Sequence, residues 1–354
     1  MLTSFKKYTG IGLMALLLLG QITACNKIPE VEEIAPEENA RQTILEIVNA
    51  DPQYSILKAA ITKAGVGPLL NKRDNKLTLF APNNDAMTRS GISEGVIGVL
   101  PAAQLAAILS YHVIPQEIAS AAIPGLPLPN IQMPTLLQPL ATQPLFKMSI
   151  FPSKRPTGAF VNNIPITAVD KRAANGYIHD VYALVAPPQT TMKGLIAAQA
   201  DLSFLRAAIA RADEGQTGLN RIDSLLNYPF PNITLFAPND DAFKAALTLL
   251  GAPPVIEAFA ALPPATVRGI LAYHVLAVNG TPAFRVFSPN LVTGTVETLI
   301  GASPMPQLTI DATNPMAPTV KGRINPTPAN VVAADLHAVN GVLHKIDQVL
   351  IPQM

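Results

Sequence analysis

Apolar and polar positions alternate along this chain in a fixed succession of periods, and the succession is written twice. Ile56, Leu57, Ala60 and Ile61 fall at helical spacing, and Leu202, Leu205, Ala208 and Ile209 repeat the pattern later. Runs suited to a strand follow at residues 77–80 and 233–236, and each stops at a proline, Pro82 or Pro238. The next pattern predicts a helix with Asn83 or Asn239 as its N-cap. Asp85 and Asp241 then fall in the first turn, where a carboxylate meets the positive end of the helix dipole. A second helix opens at Leu100-Pro101 and at Leu262-Pro263. Its apolar face is Leu105, Ile108 and Leu109 in one copy, and Val267, Ile270 and Leu271 in the other. Each copy closes on a hairpin-turn dipeptide, Asn175-Gly176 or Asn340-Gly341, with strands predicted over 177–184 and 342–350. Helices cluster early and strands late, which predicts an α+β fold.

The doubling extends to whole words. Thr78-Leu79-Phe80-Ala81-Pro82 reappears as Thr234-Leu235-Phe236-Ala237-Pro238. Tyr111-His112 matches Tyr273-His274, and Asn175-Gly176-Tyr177-Ile178-His179 matches Asn340-Gly341-Val342-Leu343-His344. Phe80 and Phe236 stand 156 positions apart. Solenoid repeats run about 20–50 residues, so the pattern is one domain used twice.

These words resemble the signatures of the fasciclin domain family: Thr-x-Phe-Ala-Pro, then Tyr-His, then Asn-Gly-x-Ile-His-x-Ile-Asp. Asp347 completes the last word in the second copy, and Tyr182 replaces it in the first. Met87, where the family prefers Phe, and Pro115, soon after the first Tyr-His, are further departures of copy one. The resemblance implies two tandem modules, over 42–188 and 189–354, each a β-sheet wedge or sandwich with several packed helices. It implies adhesion at cell surfaces and in matrices. It also implies that His112, His179, His274 and His344 are internal hydrogen-bonding partners that knit helices to the sheet.

The front of the chain reads as an address. Lys6 and Lys7 precede an apolar run over 11–19 that is short for a membrane span, which takes about 20 residues. The run suits a secretory signal. It leads to Ile22-Thr23-Ala24-Cys25, which resembles the bacterial lipoprotein cleavage box. Cys25 is the single cysteine of the chain, and it is read as the lipidated N-terminus of the mature protein. Residues 1–24 are then a leader, and 25–41 an acidic tether too poor in apolar residues to order itself. Asn26 after the cysteine points to the outer membrane.

Composition narrows the function. Removing Lys6 and Lys7 with the leader leaves 23 basic against 24 acidic side chains, with no basic stripe for nucleic acid. With one cysteine there is no disulfide, so apolar burial and backbone pairing must hold each module. Many of the 34 prolines crowd into residues 119–144, which predicts an irregular surface segment. The copies differ most there, and loops are where binding preference usually resides.

Candidate chemistry is sparse. Gly91-Ile92-Ser93-Glu94-Gly95 matches a nucleophile-elbow string, but it follows a predicted helix where an elbow needs a strand. It is read as a helix-to-helix turn, and an envelope hydrolase is the remotest reading. No P-loop, dinucleotide, His-Glu-x-x-His or Cys-x-x-Cys motif occurs. The expectation is a non-enzymatic, lipid-anchored envelope protein with no cofactor, metal or nucleic acid. It would bind a protein or polysaccharide partner non-covalently. The alternative is a carrier for a small apolar ligand such as a pigment or lipid, with residues 121–146 lining its groove.

Overall fold

The computed structural model describes residues 41–139, 143, 145–278, 281–282, 284–300 and 307–353. The expected leader, Cys25 and all but the last residue of the tether lie outside the described residues. Module one contains helices α1 (Ile44–Ala50), α2 (Ser55–Ala64) and α3 (Gly67–Asn71), strand β1 (Leu77–Pro82), and helices α4 (Asn84–Arg89), α5 (Glu94–Val99) and α6 (Ala102–Tyr111). Strands β2 (Val113–Ile114), β3 (Met133–Pro134), β4 (Ser149–Ile150), β5 (Pro152–Arg155), β6 (Gly158–Val161), β7 (Ile164–Ala173) and β8 (Gly176–Val181) follow. Module two repeats the plan with α7 (Met192–Ala198), α8 (Ser203–Ala212), α9 (Ile222–Asn227), β9 (Ile233–Pro238), α10 (Asp240–Leu249) and α11 (Pro264–Tyr273). It ends in β10 (Gly294–Val296), β11 (Leu308–Asp311), β12 (Thr319–Lys321), β13 (Ala329–Ala338) and β14 (Gly341–Ile346).

Each module builds one mixed sheet, in the order β2-β1-β8-β7-β6-β5 and β10-β11-β12-β13-β14-β9. The first long strand lies parallel to the last: β1 pairs with β8, and β9 with β14, while the other ladders are antiparallel. That crossover closes the module on itself and sets its opening word beside its closing word. Phe80 stands opposite His179, and Phe236 opposite His344. Both central strands are wholly buried because helices cover one face and the curled sheet covers the other.

Three local expectations change. The strands at 77 and 233 run on through their prolines, since Pro82 pairs with Val181 and Pro238 with Ile346. The closing strands end earlier than expected, at Val181 and Ile346. The Asn-Gly dipeptides sit one step later in their turns than a type I′ hairpin would place them. Ala173 pairs with Gly176 and Ala338 with Gly341, so Asn is the last turn residue and Gly the first of the strand. Gly is required there by close approach: a Cβ on Gly176 (φ +146°) would stand 1.8 Å from the Leu77 carbonyl oxygen, and one on Gly341 2.4 Å from that of Ile233. The Pro-rich segment is irregular, with a short 3₁₀ turn at Ser120–Ala122 and the two-residue strand β3.

Candidate functional site

The repeated residues are consumed by the scaffold. His112 Nε2 accepts from the Val185 amide (3.0 Å), which leaves the proton on Nδ1, 2.8 Å from the Ile108 carbonyl. His274 repeats this between the Leu350 amide (2.9 Å) and the Ile270 carbonyl (2.7 Å). Each imidazole therefore ties the last turn of a helix to the end of its module. Burial lowers both pKa values to about 4, against a partial opposing effect of the helix carbonyl, so both rings are neutral. His179 and His344 carry the other tautomer. Their Nδ1 atoms accept from the Asp170 and Asp335 amides, and their Nε2 atoms face the Ile118 (2.8 Å) and Val286 (2.9 Å) carbonyls. Their rings pack on Phe80 and Phe236 at 5.7 and 5.5 Å between centroids.

The other words follow the same logic. Thr78 Oγ1 donates to the Gln116 carbonyl and accepts from the Ile118 amide, and Thr234 does the same with Phe284 and Val286. Tyr111 and Tyr273 donate to the Ser149 and Gln307 carbonyls. Asn175 accepts from the Ile44 amide and donates to the Leu70 and Lys72 carbonyls. Asn340 does so with Met192, Leu226 and Tyr228. Asn83 and Asn239 cap α4 and α10 through the Ala86 and Ala242 amides. Asp85 and Asp241 are exposed in the first turns, and Asp241 meets Lys244 at 3.0 Å. Asp347 binds Asn330 twice, whereas in copy one Tyr182 stacks under Arg89 at 4.1 Å. Ser93 caps α5 through the Val96 amide, and the residues before it form a helix and a turn, not a strand.

Two repeated pairs escaped the pattern reading. Asp170 and Asp335 sit at bulges in β7 and β13 with φ near +60°, and their carboxylates hold the Ser120 and Ser288 amides at 2.7 Å. Their signal was an Asp five residues before each Asn-Gly. Asn84 and Asp240 reach back to the amides of Ile56 and Phe204 and so cap α2 and α8, each two helices earlier in the chain.

Side chains left over from the scaffold meet between the modules. Phe151 of module one packs on Phe287 of module two (5.9 Å), with Val342 beside them. Asn130 donates to the Arg285 carbonyl (2.6 Å) and to Asn290, which donates to Ser153 (2.8 Å). Arg285 is 4% exposed. Its guanidinium lies 4.6 Å from the Phe151 ring and donates to the Ala338 and Val339 carbonyls, to Asn232 and to His337 Nε2. Among the described residues no carboxylate pairs with it. Burial accordingly lowers its pKa to about 10. His337, the fifth histidine, is held well below its usual value by burial and by this cation.

Two hollows flank the seam. One, of about 360 Å³, is lined by Gln132, Phe146, Lys147, Phe230, Asn232 and Arg285, mixing rings, amides and cations. The other, of about 350 Å³, is apolar, and Pro127 and Pro129 of the Pro-rich segment face Leu276, Val286, Leu291 and Ile310 across it. Among the described residues no group of His, Cys, Asp and Glu could hold a metal. No described helix is long and apolar enough to cross a membrane.

The chain is 30% identical over 146 residues to the transforming growth factor-beta-induced protein ig-h3 of Sus scrofa, and 28% identical over 148 residues to that of Oryctolagus cuniculus. Each match covers 41% of this chain and 19% of the relative, so the chain spans about a fifth of those proteins. A solved FAS1 domain pair from the insect cell adhesion molecule Fasciclin I aligns at 18% identity and a TM-score of 0.39, over 87% of this chain and 95% of that one. The model of the fasciclin domain matches residues 52–187 and again 202–352, and the chain therefore belongs to the fasciclin domain family, as a tandem pair.

Proposed function

We propose that this is a non-enzymatic adhesion protein of the bacterial envelope. It is held to the membrane by lipid on Cys25, and the outer membrane is its site. It binds a protein or polysaccharide partner through surfaces that the two modules present together. The observation that carries this reading is the seam. Phe151, Phe287, Asn130 and Arg285 fix the spacing of two binding modules. Fixed spacing converts two weak contacts into one strong one on a repeated target, because the second contact forms at high effective concentration.

The chemistry available outside the scaffold supports binding over catalysis. The four repeated histidines are occupied on both ring nitrogens, and the groove beside the seam offers Lys147, Asn232 and Gln132 next to Phe146 and Phe230. Amides, a cation and rings suit a hydroxyl-rich or acidic polymer. The test is attachment of the producing cells to one another and to their matrix after clean deletion of the coding sequence. Attachment should fall and return on complementation, and a deletion strain that attaches like the parent contradicts the proposal. Complementation with Cys25→Ser should release the protein from the membrane fraction.

A further inference from the structure

Equivalent positions of the two modules bound very different spaces. In module one, Leu57, Ile61, Leu70, Leu79, Leu109 and Val113 surround a gap of about 10 Å³. Their counterparts in module two, Leu205, Ile209, Leu226, Leu235, Leu271 and Val275, surround a hollow of about 410 Å³. The equivalence is set by shared bonds: the Leu136 and Leu299 amides donate to Val113 and Val275, and Asn175 and Asn340 hold the Leu70 and Leu226 carbonyls. The same scaffold can therefore close this space, and module two keeps it open.

The connection from the helix to the central strand causes the difference. In module one it spans 65–76 and packs as α3, with Val66 and Leu69 against the gap. In module two it is longer, spanning 213–232, and Asp213 fixes it by accepting from the Ile222 (2.6 Å) and Asp223 (2.9 Å) amides, so that Ile222, Leu225 and Leu226 of α9 form one wall of the hollow. Arg221 and Arg268 both approach the Asp213 carboxylate, at 3.8 and 3.6 Å. Two guanidinium groups against one carboxylate leave positive charge at the edge of an apolar hollow. Arg268 lines it; its Nη2 donates to the Asn220 carbonyl, and its buried Nη1, though 3.6 Å from Asp213 Oδ1, makes no hydrogen bond. A buried donor with no acceptor at hydrogen-bond distance gains from a ligand oxygen that supplies one.

We infer that the hollow between α8, α9, β9 and α11 binds a small anionic amphiphile, its apolar body among Leu205, Ile209, Leu271 and Val275 and its anionic head on Arg268. The volume falls within the range of small-molecule sites, about 300–1,000 Å³, and the lining is apolar apart from one convergent polar group. The site shares no lining residue with the groove beside the seam, although Pro231 and Ile233 here alternate with Phe230 and Asn232 there, and Pro127 and Pro129 of the Pro-rich segment line a different cleft.

The test titrates the full-length protein with dodecanoate and with dodecanol by calorimetry, and follows methyl resonances by NMR. Wild type should bind one dodecanoate per chain, with shifts at Ile209, Ile222 and Ile233 and none at Ile61 of module one. Ala272→Phe, which fills the hollow from α11, should weaken dodecanoate at least about tenfold with the melting temperature unchanged or raised. Arg268→Met should weaken dodecanoate about tenfold and leave dodecanol unchanged. Absence of saturable binding overturns the inference, as do shifts centred on Leu276 and Val286 or undiminished binding by a folded Ala272→Phe variant. The wild-type shifts decide the matter should that variant fail to fold.

Discussion

At the scale of single residues, repetition and importance part company at the Asn-Asp word. Asp241 recurs as Asp85 and sits at a helix N-terminus, yet it is exposed, and its one side-chain partner among the described residues is Lys244. Asp240 caps α8 through the Phe204 amide and also holds Ser203. Asp240→Ala should destabilise the protein by about 1–2 kcal/mol, and Asp241→Ala by less than about 0.5 kcal/mol. Urea unfolding of the two variants separates them. The histidines give a second residue-scale prediction. His112 and His274 are buried and neutral, with pKa values near 4 against about 6.5 in the unfolded chain. As pH falls below 6.5 the unfolded chain takes up protons first, so stability is full above that value and is lost as pH falls towards 4. Each ring contributes on the order of 3 kcal/mol over that window, and the lowered values of His179 and His344 act in the same direction. The melting temperature at pH 5 should lie at least about 5 °C below that at pH 7.5. A flat profile down to pH 5 would remove the histidines from the account.

At the scale of elements, the helices α2, α4 and α6, their twins α8, α10 and α11, and the two central strands were legible because their periods are regular, whereas the short helices α1, α3, α5, α7 and α9 carry too few turns to show one. Leu57, Ala60 and Ile61 are buried on α2, as are Leu205, Ala208 and Ile209 on α8. The pairing of strands was not legible. β1 and β8 share a parallel ladder although most of the module separates them, and no local pattern records a long-range partner. The bulges at Asp170 and Asp335 were hidden for a related reason, since one positive φ breaks the alternation that a strand reading relies on. The Asn-Gly words were read as turns, whereas their force lies in what they touch. Asn175 anchors α1 and the end of α3 to the sheet with three hydrogen bonds, and Gly176 lies against the backbone of β1. Asn175→Ala leaves the Ile44 amide and the Leu70 carbonyl without this partner and should cost about 2–4 kcal/mol. Gly176→Ala forces a Cβ into the Leu77 carbonyl and should cost at least as much, read by denaturant unfolding.

At the scale of the whole molecule, the two modules meet through surfaces that their shared words do not encode. Arg285 stands where module one has Glu117, and Phe287 where it has Ala119, as the matched Thr78 and Thr234 bonds establish. Phe151 stands where module two has Thr309, in step with Ser149 and Gln307 under the two tyrosines. Each module thus carries a different half of the seam. A head-to-tail contact that every copy could repeat would run on into filaments, and Glu117 and Thr309 put different residues at the two equivalent positions that face away from the seam. Asn130, Phe151, Arg285 and Phe287 belong to no repeated word, so the sequence marked them only as places where the copies differ.

The pair Phe151→Thr and Phe287→Ala puts into each module the residue with which its twin folds. The double variant should keep both modules intact and lose the ring contact and the cation's platform that hold them together. Attachment of deletion cells complemented with wild type or with this variant, at matched amounts in the envelope, therefore tests the docked pair as the binding unit. Attachment should be at least about tenfold weaker with the variant. Attachment equal to wild type would show that the modules bind independently and that the seam has no part in adhesion.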